Sequence, residues 1–251
     1  MESDDSTDYY DAWAQVYDAE TMPTQDVSYY VDRAVDVGGR VLEVGCGTGR
    51  IDLELLRAGV DADGIDLAAG MLDQLRENAA ADGLDPNVWQ ADMRTFTVSD
   101  PYDLVIVPFR AFLHNLTIED QLAALRSLLD ATADDGELVL NFYAPDCEFV
   151  VENYGTEEVE AVAIDGEQYR VLHRADFEDD VEGIVRGEKV LFDENDDVVV
   201  SESYRLKSVT KREFELLLRL VGASSWEVTN FDGDPPTSVE DELVWSIRPS
   251  S

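Results

Sequence analysis

The sequence predicts an α/β protein: a doubly wound, mostly parallel sheet with an antiparallel final strand, and an antiparallel β-sheet inserted into it. Three observations predict it. Short apolar strands alternate with amphipathic helices between Arg40 and Tyr143, which is the pattern of a parallel sheet covered on both faces. A glycine-rich turn, "GCGTG", follows the first of those strands. From about Val159 the pattern changes to strand-like runs with no helix between them.

Each element has a local reason. In "DYYDAWAQVYDAE", Tyr10, Trp13, Ala14 and Tyr17 recur at helical spacing, so a helix precedes the first strand, and the acidic start "MESDDSTD" reads as a frayed tail. A second helix around "VSYYVDRAVD" is stopped by Gly38 and Gly39. Strand "RVLEV" then leads to helix "GRIDLELLRAG", begun by Arg50 and Ile51 after the glycine turn. Strand "DADGID", helix "AAGMLDQLRENAAADG", strands "NVWQAD" and "YDLVIVPF", helix "IEDQLAALRSLLDATADDG" and strand "ELVLNFY" complete the alternating part. The runs "VEAVAIDGEQYRVLHRADFE", "GIVRGEKVLFD" and "DVVVSESYRLKSV", separated by turns such as "DGE" and "DENDD", predict three or four inserted antiparallel strands. In "TKREFELLLRLVG", Thr210 is the expected N-cap and Gly222 the stop. "SWEVTNFDG" and "ELVWSIRP" close the chain as strands that pair antiparallel on the main sheet. The chain so divides into N-terminal helices (1–36), the alternating core (37–150), the inserted sheet (151–208) and a C-terminal helix with two strands (209–251).

Composition limits the function classes. The 251 residues suffice for one sizeable core, and no apolar run approaches the roughly 18 residues of a membrane span. The acidic start lacks the basic and apolar stretches of a secretory signal, and with only Cys46 and Cys147 the simplest expectation is a reducing cytoplasm. Acids number 56 against 18 bases, for a net charge of −38, spread along the whole chain. At molar salt the Debye length falls to about 3 Å and the self-repulsion is screened, so the composition resembles that of halophilic cytoplasmic proteins; an acidic face for a basic partner is the competing reading. No basic stripe is visible, which argues against nucleic acid as substrate. No CxxC or HxxxH spacing suggests a zinc site.

The chemistry collects at the carboxyl ends of the strands, where ligands of open parallel sheets bind. Gly45, Gly47 and Gly49 lack Cβ atoms, so backbone can turn tightly and approach a ligand. The spacing is GxGxG, one residue short of the dinucleotide pattern GxGxxG. Three acids accompany it: Glu43 before the loop, Asp66 at the end of the second strand and Asp92 after the third. Asp66 lies 21 residues beyond Gly45, where an acid reaches ribose hydroxyls. Glu43 would repel a pyrophosphate but suits an ammonium group, so a nicotinamide-dependent oxidoreductase is disfavoured.

This ensemble resembles the class I S-adenosylmethionine-dependent methyltransferases, by motif over roughly Tyr9 to Tyr143 and by element order beyond. The resemblance implies a Rossmann-like fold, S-adenosylmethionine as cofactor and a methyl-transfer activity. It implies that Gly45, Gly47 and Glu43 hold the methionyl end, Asp66 the ribose and Asp92 the adenine amine, with Leu67, Met71 and Met93 as apolar walls and Cys46 and Pro108 also beside the cofactor. Cys46 is otherwise read as a small filler.

The fourth strand ends in "VPFRAFLHN", without the Asn/Asp-Pro-Pro-aromatic tetrad of nucleobase and protein-amide methyltransferases, and so looks like the small-molecule group. "YDAWAQVYD" resembles that group's lid helix, with Tyr10 and Tyr17 bordering the sulfonium, and the inserted sheet resembles its substrate-covering or dimer-forming extensions. The expected acceptor is therefore an N or O atom of a small molecule, with no nucleic-acid or membrane partner, and a homodimer is compatible with a free sheet edge. Methyl transfer needs alignment above all, and a base only if the acceptor must lose a proton. His114 is the candidate base, Arg110 a candidate for a substrate carboxylate or a surface acid, and Tyr17 a third candidate at the reacting centre; Tyr169 and His173 are weaker ones. The alternative is a cofactor-binding sensor or partner subunit that has lost catalysis.

Overall fold

A computed structural model describes residues 5–20, 25–164, 166–239 and 241–250. The alternating part forms strands β1 (Arg40–Val44), β2 (Asp61–Asp66), β3 (Asn87–Gln90), β4 (Tyr102–Val107) and β5 (Thr132–Tyr143). Helices α1 (Asp5–Tyr17) and α2 (Gln25–Val37) precede it, and α3 (Asp52–Arg57), α4 (Ala69–Asp82) and α5 (Ile118–Ala131) lie within it. After α6 (Cys147–Asn153) come β6 (Glu157–Ile164), β7 (Glu167–Asp179), β8 (Ile184–Phe192) and β9 (Val198–Lys207). The chain ends with α7 (Lys211–Val221), β10 (Ser225–Thr229) and β11 (Glu242–Arg248).

The main sheet has seven strands in the order β10-β11-β5-β4-β1-β2-β3. β1 pairs parallel with both β2 and β4, so the chain leaves the middle of the sheet in opposite directions and opens a crevice at the carboxyl end of β1. β11 is antiparallel to β5 and to β10. The apolar residues of β1 face both ways: Leu42 and Val44 pack with Leu125, Phe142, Phe214 and Trp245 on the α5–α7 side, while Val41 packs with Tyr30, Ile51 and Leu55 on the α2–α3 side. Burial on two faces is why Leu104 to Val107 of β4 run hydrophobic without alternation.

The inserted strands form a separate antiparallel sheet in the order β6-β7-β8-β9. Its Val162, Val171, Leu191 and Tyr204 pack against Tyr9, Trp13 and Val16 of α1. The opposite side of α1 meets α4, where Gly70 N donates to Asp11 Oδ1 at 2.6 Å. A Cβ on Gly70 would lie 3.0 Å from the Asp11 carbonyl, so glycine is what permits this approach. α1 is thereby clamped between the core and the insert, across the mouth of the crevice.

Four local expectations are corrected. α1 begins at Asp5, so Asp5 to Asp8 are helical and not a frayed tail; Met1 to Asp4 lie outside the described residues. α3 begins at Asp52 and not at Arg50, because Gly49 has φ 93° and cannot continue into a helix. Thr132 to Gly136, expected as the end of a helix, open β5: Thr132 pairs with Tyr102, and a register shift follows before Leu104 meets Glu137. Helix α6 was not anticipated; Asp146 caps it, accepting from Glu148 N at 2.9 Å and Phe149 N at 3.2 Å. α7 forms as expected, with Thr210 and Glu213 making a reciprocal capping box and Gly222 ending it at φ 80°.

Candidate active site

The crevice over β1 is a cleft of about 900 Å³, counting the solvent space at its mouth. Its floor is the glycine loop. Gly45 has φ 80° and Gly47 φ 55°, a region that costs other residues strain. A Cβ at Gly45 would come within 2.9 Å of Ala111, whereas at Gly47 it would meet no atom within 4 Å, so Gly47 leaves its backbone face open to the cleft. Asp66 fixes the loop from β2: Oδ2 accepts from Gly47 N at 2.8 Å and Oδ1 from Ala68 N at 2.9 Å. Burial raises its carboxyl above the usual range even though those amide bonds pull the other way.

One wall comes from α4 and β3. Leu67, Ala68 and Met71 face Ala91, Asp92 and Met93 across the cleft. Arg94 grips Asp92 with Nε at 2.9 Å from Oδ1 and Nη2 at 2.7 Å from Oδ2. Burial alone would raise the Asp92 carboxyl, but the hydrogen bonds and charge of Arg94 outweigh it and hold the group below its usual range. Asn115, buried beneath this wall, donates to Phe112 O at 2.8 Å and touches Met93 Sδ at 3.1 Å.

The opposite wall and the roof carry Pro108, Phe109, Ala111 and His114 from the turn after β4, and Thr7, Tyr10 and Tyr17 from α1. Tyr10 Oη lies 3.0 Å from His114 Nε2, a direct polar link between the roof and that turn. Phe109 and Arg110 are both left-handed, at φ 52° and 68°, an unusual conformation for two successive residues with side chains. Asn141 of β5 supports the turn: its Oδ1 accepts from Phe109 N at 3.0 Å and its carbonyl from Arg110 N at 3.2 Å.

Most of the expected cofactor residues meet in this cleft: Tyr17, Gly45, Gly47, Asp66, Leu67, Met71, Asp92, Met93 and Pro108 all line it, as does His114. Three do not. Cys46 turns its side chain away into a cluster with Leu53, Leu72 and Leu75, because the left-handed glycines on either side point it back toward the core. Glu43 sits behind the loop, 3% exposed, on the same face of β1 as Val41. Its Oε2 has no hydrogen-bond partner among the described residues, and burial, followed by the charge of Asp52, raises its carboxyl well above the usual range. Arg110 leaves the cleft altogether. Its guanidinium pairs with Glu242, with Nε 2.9 Å from Oε1, and stacks over Tyr143 at 4.6 Å. It borders a second, more polar cavity with Asp26, Asn141 and Phe231, and only Phe109 is shared between the two.

Tyr169 and His173 of the insert also lie outside the cleft. Tyr169 donates to Glu167 Oε2 at 3.1 Å. His173 faces a cluster beneath α1 in which Glu20 accepts from Trp13 Nε1 and pairs with Lys189; His173 Nε2 is 3.9 Å from Glu20 Oε2. Burial, then the charge of Lys189, lowers the His173 ring below its ordinary range.

Sequence reasoning missed Thr7, Arg94, Phe109 and Asn115 as cleft residues. Arg94 and Phe109 adjoin motif residues and could have been found from that adjacency. Arg50 was read only as a helix start; it forms a bidentate pair with Asp26, at 2.7 and 2.6 Å, and its guanidinium lies 4.9 Å over the Phe109 ring. The open backbone at Gly47 and the apolar slot between Met71 and Met93 leave room for a nucleoside with an extended tail.

Comparison with known proteins agrees with this geometry. Residues 41–136 match the sequence family described as Methyltransferase domain. Over that span the chain carries a methyltransferase domain, with S-adenosylmethionine as its cofactor. It is 23% identical over 255 aligned positions to the putative methyltransferase YqeM of Bacillus subtilis strain 168, covering 96% of this chain and 97% of that protein. It is 24% identical to the glycine/sarcosine N-methyltransferase of Aphanothece halophytica, over 53% of this chain and 51% of that one. Among solved structures, the CcbJ methyltransferase of Streptomyces caelestis superposes with a TM-score of 0.78 at 22% identity, covering 99% and 100% of the two chains. CalS10, an amino pentose methyltransferase from Micromonospora echinaspora, does so at 0.69 and 21%, covering 92% and 94%. These structures share the fold of this chain. Among the described residues no helix is long and apolar enough to cross a membrane.

Proposed function

We propose that the protein transfers the methyl group of S-adenosylmethionine to a nitrogen or oxygen atom of a small-molecule acceptor. The observation that carries this reading is the roofed cleft: α1 and the inserted sheet cover the crevice, leaving a pocket of metabolite size in place of an open face. In this reading Gly45 and Gly47 hold the methionyl end, with Glu43 answering its amino charge from behind the loop. Asp66 binds the ribose and Asp92 the adenine amine, between Leu67, Met71 and Met93. Tyr17 and Pro108 flank the methyl group, and the acceptor enters beside Tyr10, Phe109 and His114. Nitrogen is favoured over oxygen by the name of one relative, a glycine/sarcosine N-methyltransferase.

The edge strand β6 of the insert supports a homodimer, and the two unpaired cysteines, Cys46 and Cys147, support a reducing compartment. Calorimetric titration in molar salt with S-adenosylmethionine, S-adenosylhomocysteine and NAD tests the cofactor site. A methyl-transfer assay over small amines, amino sugars and hydroxy acids, read as S-adenosylhomocysteine release, tests the acceptor class. Binding without transfer to any of them would overturn the proposed reaction.

A further inference from the structure

The acceptor half of the cleft holds few groups able to take a proton. The two carboxylates lining the cleft are committed elsewhere: Asp66 to the amides of Gly47 and Ala68, Asp92 to Arg94. The chain has two histidines, and His173 lies beyond the roof beside Glu20. That leaves His114, yet its Nε2 is already taken by the Tyr10 hydroxyl at 3.0 Å, with the rings edge-on at 5.4 Å between centroids. A substrate proton cannot reach Nε2 without displacing Tyr10 or passing through it.

We propose that Tyr10 and His114 act as a proton relay: Tyr10 Oη takes the proton of the acceptor's N–H or O–H while its own hydroxyl proton passes to His114 Nε2. The inference rests on the methyl-transfer reading above. When the phenol donates to Nε2, its oxygen lone pairs are left to receive the acceptor's proton, which also orients the acceptor. A lone pair of the acceptor atom forms the new bond to the methyl carbon, and the pair of the broken N–H or O–H bond stays on that atom as a lone pair, leaving the methylated product neutral. The old carbon–sulfur pair leaves with sulfur as S-adenosylhomocysteine, and the imidazolium then gives its proton to solvent. Tyr10 cannot serve as a lone base. Burial, followed by Tyr17, Tyr204, Asp66 and Glu20, drives its hydroxyl well above the ordinary range, so it keeps a proton unless it can hand one on.

The groups facing the pair fit this division. From the α1 side come Tyr17 and Glu20, from β2 Asp66, and from the segment after β3 Asp92 with its Arg94. From β9 comes Tyr204, whose ring centroid is 6.5 Å from that of His114 and which itself neighbours Tyr143 and Arg110. The acids on this list favour a transient imidazolium and oppose a lone phenolate.

The test uses the full chain in molar KCl with S-adenosylhomocysteine bound, and the His173→Gln variant as background so that one imidazole remains. Nitrogen-15 spectra of that ring should show Nδ1 protonated and Nε2 as acceptor at neutral pH, and Tyr10→Phe should move its titration midpoint. A neutral ring protonated at Nε2, or a midpoint that Tyr10→Phe leaves in place, would overturn the relay. In transfer assays with glycine, sarcosine and D-glucosamine, Tyr10→Phe and His114→Gln should each lower kcat about 100-fold with S-adenosylmethionine affinity unchanged, and the double variant should be no worse than either. Multiplying losses, or weakened cofactor binding in Tyr10→Phe, would assign Tyr10 a merely structural role. A wild-type protein with the expected tautomer but no transfer to any of the three would instead overturn the functional reading for these acceptors.

Discussion

The two halves of the cleft are built in different ways. The half over β1, β2 and β3 is made of backbone and short-range bonds: Asp66 reaches Gly47 across one pair of neighbouring strands, and Arg94 grips an aspartate two residues away. The half over the β4 turn is assembled from distant parts. His114 meets Tyr10 across 104 residues of sequence, and the turn that carries it depends on Asn141 of β5. The first kind of site persists as long as the strands pair. The second exists only when α1, the β4 turn and the insert have docked, so it is where substrate specificity can change without loss of the cofactor site.

The contrast can be broken from either side. The largest effect is expected from Asp66→Ala, which removes both anchors of the loop; S-adenosylmethionine affinity should fall at least about 100-fold by calorimetry. His114→Ala should keep that affinity within about threefold but lower turnover by roughly 100-fold. Equal losses of affinity in the two variants would show that the halves are not separable.

An effect on stability concerns the packing behind the loop. Burial, aided by Asp63, pushes the Asp52 carboxyl up to about 7. A carboxyl raised in the folded state contributes most stability below its unfolded value near 4 and loses it as pH rises through about 7. Asp52→Asn should therefore stabilise the protein by up to about 4 kcal/mol at pH 8 and hardly at all at pH 4, measured by denaturant unfolding at constant high salt. The smallest effect belongs to Arg110→Ala. With its guanidinium on Glu242, outside the main cleft, cofactor affinity should change less than about twofold and stability by about 1 kcal/mol or less.

Much of the cofactor half was legible because its signals are local in the chain. Three glycines after an apolar strand demand a turn with positive φ, and an acid at each strand end follows the sheet's own geometry. Glu43 shows the limit of that reasoning. Alternation along β1 sets it with Val41 on the side away from the cleft, a direction its place in the motif did not reveal. Arg110 shows a second limit. Adjacent to Phe109 in sequence, it leaves the cleft because the two left-handed residues reverse the chain there, and no glycine marked that bend.

The sequence by itself determined the order of the strands and of every helix but α6, the inserted sheet and the glycine turn. Each of these depends on periodicity, on backbone freedom, or on residues held together by one pair of adjacent strands. Only the tertiary structure decided that Tyr10 closes on His114, that Arg110 is spent on Glu242, and that the Cys46 side chain belongs to the core. Those outcomes depend on how α1, the β4 turn and the strands at the far edge of the sheet pack together. Long-range packing is selected by the fit of whole faces, and a face is a property of many residues that no single stretch of sequence displays.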